Sequence, residues 1–185
     1  MNGDKTTGVT IFQIKASVDT GDILMQKEID IFENDNMLTL GMRLCTYGAD
    51  LMIKVLNKIE INKQVKGLAQ DSASATPAPK IRKDMTIINW AWKSEKIHNW
   101  IRGLSPYPGM STIYKGKRLR IFKTSFQLSS IMIPGTILEA KDDNLSIATG
   151  DGLIRVYELQ LEGKKRMHVS DFLRGNKIKT WERLG

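Results

Sequence analysis

The sequence predicts an α+β chain of two units: a short α/β segment over residues 1–61 and a small β-barrel with flanking helices over residues 84–185, joined by a linker. Three observations carry that reading. Two β-branched, apolar runs near the start are followed by a long helical pattern. Residues 62–83 then lose all periodicity and run through Asp-Ser-Ala-Ser-Ala-Thr-Pro-Ala-Pro, small residues and prolines that build no element. Beyond them, five short strand patterns broken by tight turn signals point to a closed or nearly closed barrel.

The first run, Gly8 to Ile14, reads as a largely buried strand, and Ile23 to Ile31 as its successor. The loop between them ends in Asp19-Thr20-Gly21-Asp22. Asn34-Asp35-Asn36 offers capping oxygens to a helix on which Leu40, Leu44, Tyr47, Leu51 and Val55 recur at three- and four-residue steps. That helix should end near Asn57 to Ile59, with Met37, Met42 and Met52 packing on it and Cys45 buried as a small hydrophobe.

In the second unit Ser94 is expected to cap a short helix carrying Ile97, Trp100, Ile101 and Leu104, which Ser105-Pro106-Tyr107-Pro108-Gly109 brings to a stop. Trp90, Trp92, Trp100 and Tyr107 read as core and interface anchors, with base-stacking platforms for nucleic acid as the alternative. Strands are expected at 111–114, 118–124, 136–140, 145–149 and 153–159. Lys115-Gly116-Lys117 and Gly150-Asp151-Gly152 supply hairpin turns. A last helix starts around Ser170, with Gly175 just past its end.

Charge separates the halves. Residues 1–80 hold nine Lys/Arg against ten Asp/Glu, while residues 81–185 hold nineteen against ten, so the whole basic excess falls in the second unit. Such an excess suits a polyanion such as nucleic acid. No apolar run approaches the roughly 20 residues of a membrane span, and the polar start is unlike a signal peptide, so a cytoplasmic protein without a membrane partner is expected. His98 and His168 have no ligand at metal spacing, which argues against a metal site. A Gly-rich phosphate loop, a G-x-S-x-G elbow and a C-x-x-C pair are all absent.

The candidate nucleic-acid surface comprises Lys115, Lys117, Arg118, Arg120 and Lys123, then Lys164, Lys165 and Arg166, with a further cluster at Arg174, Lys177, Lys179 and Arg183. A solvated basic exterior is the competing reading. Asp-Thr-Gly-Asp is open in the same way. It is either a turn, whose carboxylates bind backbone N–H groups and whose Gly permits positive φ, or it aims a carboxylate into a cleft as a general base.

Several segments in order resemble methionyl-tRNA formyltransferases. They are Gly8-Val9-Thr10-Ile11, Val18-Asp19-Thr20-Gly21-Asp22-Ile23-Leu24, Ile101-Arg102-Gly103-Leu104-Ser105-Pro106-Tyr107-Pro108-Gly109, Pro134-Gly135-Thr136-Ile137-Leu138, Ala148-Thr149-Gly150-Asp151-Gly152 and Gly163-Lys164-Lys165-Arg166-Met167. The resemblance implies the last part of a Rossmann-like folate-binding domain, then an OB-like barrel domain that binds tRNA. It implies transfer of a formyl group from the co-substrate 10-formyltetrahydrofolate to the amino group of initiator methionyl-tRNA. Asp19 matches the family's catalytic Asp, and Lys15, Ala16, Ser17 and Val18 match the segment lying against the pterin ring. Asp22 is expected to be a structural member of the turn.

The family's Asn-x-His-x-Ser-x-Leu-Pro stretch is missing, and Asn89 and Ser105 stand where Asp and Asn are common. The resemblance therefore implies a carboxy-terminal fragment that is inactive alone, cut from an enzyme that is monomeric when intact. Uncovered apolar faces in the first 60 residues would leave the fragment self-associated or covered by a partner. A sugar-nucleotide formyltransferase fragment and a non-catalytic tRNA-binding module are the alternatives.

Overall fold

The computed structural model describes residues 1–63, 65–130 and 132–185. It divides the chain into one unit of residues 4–80 and a second of residues 1–3 with 81–185. Gln64, within the stretch read as linker, lies outside the described residues.

In the first unit β1 (Thr6–Phe12) pairs antiparallel with β2 (Ile23–Asp30), in register from Thr6↔Asp30 to Ile11↔Met25. No position on β1 is buried, with Thr6, Gly8 and Phe12 exposed and the rest half-buried, unlike the largely buried strand its composition suggested, because a two-stranded ribbon has little to cover it. Helix α1 (Met37–Asn62) starts on a capping box. Asn36 Oδ1 accepts from the N–H groups of Leu38 and Thr39 at 2.9 and 3.0 Å, and Thr39 Oγ1 accepts from Asn36 N–H at 2.9 Å. The helix runs past the expected stop at 57–59 and ends at Lys63, whose φ is 57°.

Leu51 and Val55 are buried on α1, and Leu40, Leu44 and Tyr47 half-buried, as the periodicity requires. The methionines and the cysteine differ from expectation. Met37, Met42 and Met52 are 45, 64 and 43% exposed, and Cys45 is exposed. The reason is geometric: Leu38, Met42, Cys45, Ala49, Met52, Leu56 and Ile59 alternate at steps of four and three, and all are exposed. They form a second apolar stripe that the β1–β2 ribbon does not cover.

Part of the presumed linker belongs to this unit. Ile23 N–H donates to Leu68 O at 2.7 Å and Leu68 N–H to Ile23 O at 2.9 Å, adding a bridge to β2. A 3₁₀ turn at Ser72–Ser74 follows, capped by Asp71.

The second unit carries β3 (Met110–Tyr114), β4 (Lys117–Leu128), β5 (Ile137–Lys141), β6 (Asn144–Ala148), β7 (Gly152–Leu161) and the short β8 (Met167–His168). Their order is β3-β4-β7-β6-β5, with β8 beside β7. Tyr114 pairs with Lys117 across a two-residue turn in which Lys115 and Gly116 have φ of 48° and 75°, the left-handed pair of a type I′ hairpin. A register shift around Lys123 bends β4 against β7.

This sheet is an open path of five strands with β8 off it; no ladder joins its end strands β3 and β5 among the described residues. The last residues run between those ends instead. Ile137 N–H donates to Glu182 O at 2.9 Å, Leu184 N–H to Gly135 O at 2.9 Å and Gly185 N–H to Ile113 O at 3.1 Å.

Inside the sheet Leu119, Ile121, Ile147, Ile154, Val156 and Leu159 pack with Ile97 and Ile101 of α2 (Ser94–Gly103) and Phe172 of α3 (Val169–Gly175). Full burial of an Ile side chain such as Ile97 stabilises by about 2 kcal/mol. Ser94 does not cap α2: its hydroxyl is buried without a partner, and Asp151 Oδ1 accepts from its backbone N–H at 2.7 Å. Gly175 is the last residue of α3 and not the one beyond it, and Asn176 caps that end. Trp90 is buried and donates through Nε1 to Thr112 Oγ1 at 3.2 Å, while the Trp92 and Trp100 rings meet tilted at 57°, with centroids 5.3 Å apart. Tyr107, expected as an anchor, is 78% exposed because it tips a loop between two prolines.

Candidate functional site

The loop from Gln13 to Asp22 leaves β1, returns to β2 and is closed at its base by Gln13 N–H donating to Asp22 O at 3.0 Å. Gly21 is buried there, and a Cβ on it would stand 1.4 Å from the Gln13 carbonyl oxygen. Glycine is therefore needed for close approach and not for its torsions. The left-handed residue is Asp19 itself, with φ of 56°, a region that Asp enters more readily than most residues.

Three donor side chains hold this geometry. Lys15 Nζ pairs with Asp22 Oδ1 at 2.8 Å, and Thr20 Oγ1 donates to Ser17 O at 3.0 Å. Gln70 Nε2 donates to Asp19 O at 3.0 Å and to Gly21 O at 2.7 Å, clamping the backbone on both sides of Thr20. The Asp19 carboxylate is exposed and has no hydrogen-bond or ion-pair partner among the described residues. Lys15, Ala16, Ser17 and Val18 are exposed too, Val18 at 86%. Gln70 escaped the sequence reading because it lies in a stretch without periodicity; only the apolar Leu68 nearby hinted that the segment docks.

In the second unit both histidines serve structure. His98 Nδ1 lies 3.0 Å from Thr124 Oγ1, and burial, with a smaller push from the Arg102 charge, lowers its pKa to about 4. His168 accepts from Ser170 N–H and caps α3. No cluster of three or more His, Cys, Asp or Glu among the described residues could hold a metal ion, and no helix is long and apolar enough to cross a membrane.

The basic residues fall into distinct environments. Arg118 and Arg120 project from β4 two residues apart and line one cleft of about 580 Å³ with Arg82, Lys83 and Tyr107. Lys115 sits in the β3–β4 turn, 3.5 Å from Glu182, next to Lys117. Arg166 is tied to Glu158 at 2.8 Å and lies over the Phe122 ring at 4.5 Å, and Arg174 pairs with Asp171. Lys123, Lys164 and Lys165 are exposed. Arg82, Lys83 and Tyr107 were missed as members of this surface; the run Ile81-Arg82-Lys83 was the available signal, absorbed into the linker.

Residues 1–56 match the family model described as "Formyl transferase", and residues 80–177 match "Formyl transferase, C-terminal domain". The chain is 38% identical over 186 aligned positions to a methionyl-tRNA formyltransferase of Solibacter usitatus and equally to one of Syntrophus aciditrophicus, covering all of this chain and 59% of each relative. A Caldicellulosiruptor saccharolyticus protein of the same name is 40% identical over 183 positions, 97% of this chain and 58% of that protein. The chain thus spans about three fifths of the length of these curated relatives. Among solved structures, HypX from Aquifex aeolicus superposes with a TM-score of 0.70 over 98% of this chain and 34% of its own, at 20% identity, a likeness of fold. The sugar 3N-formyl transferase WlaRD gives 0.63 over 88% of this chain and 57% of its own, at 26% identity. With one model matching its first unit and the other most of its second, the chain belongs to the formyltransferase family.

Proposed function

We propose that this chain supplies two parts of a methionyl-tRNA formyltransferase: a catalytic carboxylate on a folate-facing loop, and an OB-like unit that holds initiator tRNA. The charge distribution carries the reading. Nineteen Lys/Arg against ten Asp/Glu fall in residues 81–185, in a chain 38% identical throughout its length to relatives of that name. A small anionic sugar nucleotide does not call for so broad a basic surface. The 26% identity to a sugar 3N-formyl transferase favours sugar-nucleotide transfer as the second reading, and a non-catalytic tRNA-binding module is the third.

The loop fits a heteroaromatic co-substrate. The N–H groups of residues 15–19 make no hydrogen bond among the described residues, and Ile14 and Val18 beside them are 90 and 86% exposed. Unpaired backbone groups next to apolar side chains suit the edge and face of a pterin such as that of 10-formyltetrahydrofolate. Transfer forms a C–N bond from the methionyl amine to the formyl carbon and breaks the bond from that carbon to N10 of the folate. One proton leaves the amine and one reaches N10. We assign Asp19 to moving the amine proton, through a water and a histidine that this sequence does not contain. Alone, the 185-residue chain is expected to formylate negligibly.

Two measurements test this. Binding of initiator tRNA by the purified chain should weaken steeply with salt, with a slope near one per phosphate contacted; the absence of tRNA binding would favour the sugar reading. A chimaera that joins residues 1–185 to the amino-terminal part of a full-length relative should formylate methionyl-tRNA, and Asp19→Asn in it should lower kcat about 100-fold or more. Undiminished kcat in that variant removes Asp19 from the chemistry.

A further inference from the structure

The Tyr107 loop is a sequence motif that the formyl-transfer reading leaves without a task. Pro106 and Pro108 restrict its backbone on either side of Tyr107. Gly109 N–H closes the loop on Leu104 O at 2.8 Å. At Gly109, with φ of 79°, a Cβ would press within 2.8 Å of the Phe122 ring, so the loop is seated against the sheet. The result is an aromatic side chain held out to solvent, 78% exposed, on a restrained loop.

Its surroundings are cationic. The cleft that Tyr107 lines also takes Arg118, Arg120, Arg82 and Lys83. Asp84 occupies the Arg82 guanidinium at 3.0 Å, and Arg120 reaches Gln160 at 3.5 Å. The Arg118 guanidinium has no partner among the described residues; its backbone N–H donates to Glu162 Oε2 at 3.0 Å and its carbonyl accepts from Glu162 N–H at 2.8 Å. A fixed ring beside unpaired cations matches a base face joined to phosphates, the pairing by which single strands are bound. A duplex keeps its base faces stacked and offers only phosphates.

We propose that Tyr107 stacks on an unpaired RNA base while Arg118 and Arg120 contact the adjoining phosphates, so that this cleft binds a single-stranded stretch of RNA. The inference rests on the nucleic-acid reading above and narrows it to a strand type and a residue. Ordering cost is low because the prolines hold the loop before binding.

The test uses the purified chain, a fluorescent ten-nucleotide single-stranded oligoribonucleotide, and a blunt duplex of the same composition, followed by anisotropy against salt. Tyr107→Ala should weaken single-strand binding roughly ten-fold and leave duplex binding unchanged, while Tyr107→Phe keeps wild-type affinity because the ring and not the hydroxyl stacks. Arg118→Ala with Arg120→Ala should weaken both probes and lower the single-strand salt slope by about 1.4. If Tyr107→Ala leaves the single strand bound as before while both probes still bind with a steep salt slope, the stacking proposal fails and the nucleic-acid reading stands. If the unaltered chain binds neither probe, the stacking proposal fails, and the salt titration with initiator tRNA decides the nucleic-acid reading separately.

Discussion

A β-carbon at residue 21 would overlap the Gln13 carbonyl oxygen at 1.4 Å, and that oxygen is backbone, which cannot swing aside. Gly21→Ala must therefore open the loop base where Gln13 donates to Asp22. The expected cost is about 2–4 kcal/mol, read as a lower urea midpoint with faster amide exchange at Gln13 and Ile23; an unchanged midpoint would contradict the packing. His98 makes a pH prediction. Burial first, then the Arg102 charge, lowers its pKa from 6.5 to about 4, so between those values the unfolded chain binds a proton that the folded chain refuses. Stability is full above about pH 6.5 and falls as the pH drops toward 4. Urea midpoints across that range should decline in the wild type and flatten in His98→Gln, which stays neutral near Thr124.

Helix α2 is held at its start by a residue far along the chain. Asp151, in the turn between β6 and β7, accepts from Ser94 N–H at 2.7 Å, so one carboxylate ties the hairpin to the helix. Asp151→Ala should destabilise the second unit by about 1–2 kcal/mol, with Asp151→Asn recovering part of it. Equal midpoints for all three chains would show the cap to be idle. Helix α1 is capped from its own sequence by Asn36 and Thr39. That local motif was legible in Asn34-Asp35-Asn36, whereas the Asp151 cap was not, since nothing near Ser94 names a partner 57 residues away.

Across the whole molecule the uncovered stripe on α1 is the feature with the largest consequence for behaviour in solution. Met42, Met52, Leu56 and Leu38 are 64, 43, 55 and 50% exposed, a patch that soluble chains seldom leave to water. The isolated chain should self-associate as its concentration rises, and light scattering should give masses above the monomer's. Met52→Lys with Leu56→Glu should return it to monomer. A wild-type chain that stays monomeric throughout would show that the stripe is tolerated bare.

By itself the sequence determined the strand and helix positions, the Lys115-Gly116 turn, the split of charge between the units, and Asp19 as the carboxylate to examine. The first three follow from periodicity, turn chemistry and composition, which are properties of neighbouring residues, whereas Asp19 was singled out by the resemblance to methionyl-tRNA formyltransferases. Tertiary structure alone decided why residue 21 is glycine, that Gln70 clamps the Asp19 loop, that Tyr107, Arg82 and Lys83 share a cleft with Arg118 and Arg120, and that Cys45 and the α1 methionines are bare. Each depends on a backbone or side chain distant in the chain, or on how much sheet is present to cover a face. An amphipathic pattern reports which residues would pack, not whether anything packs on them.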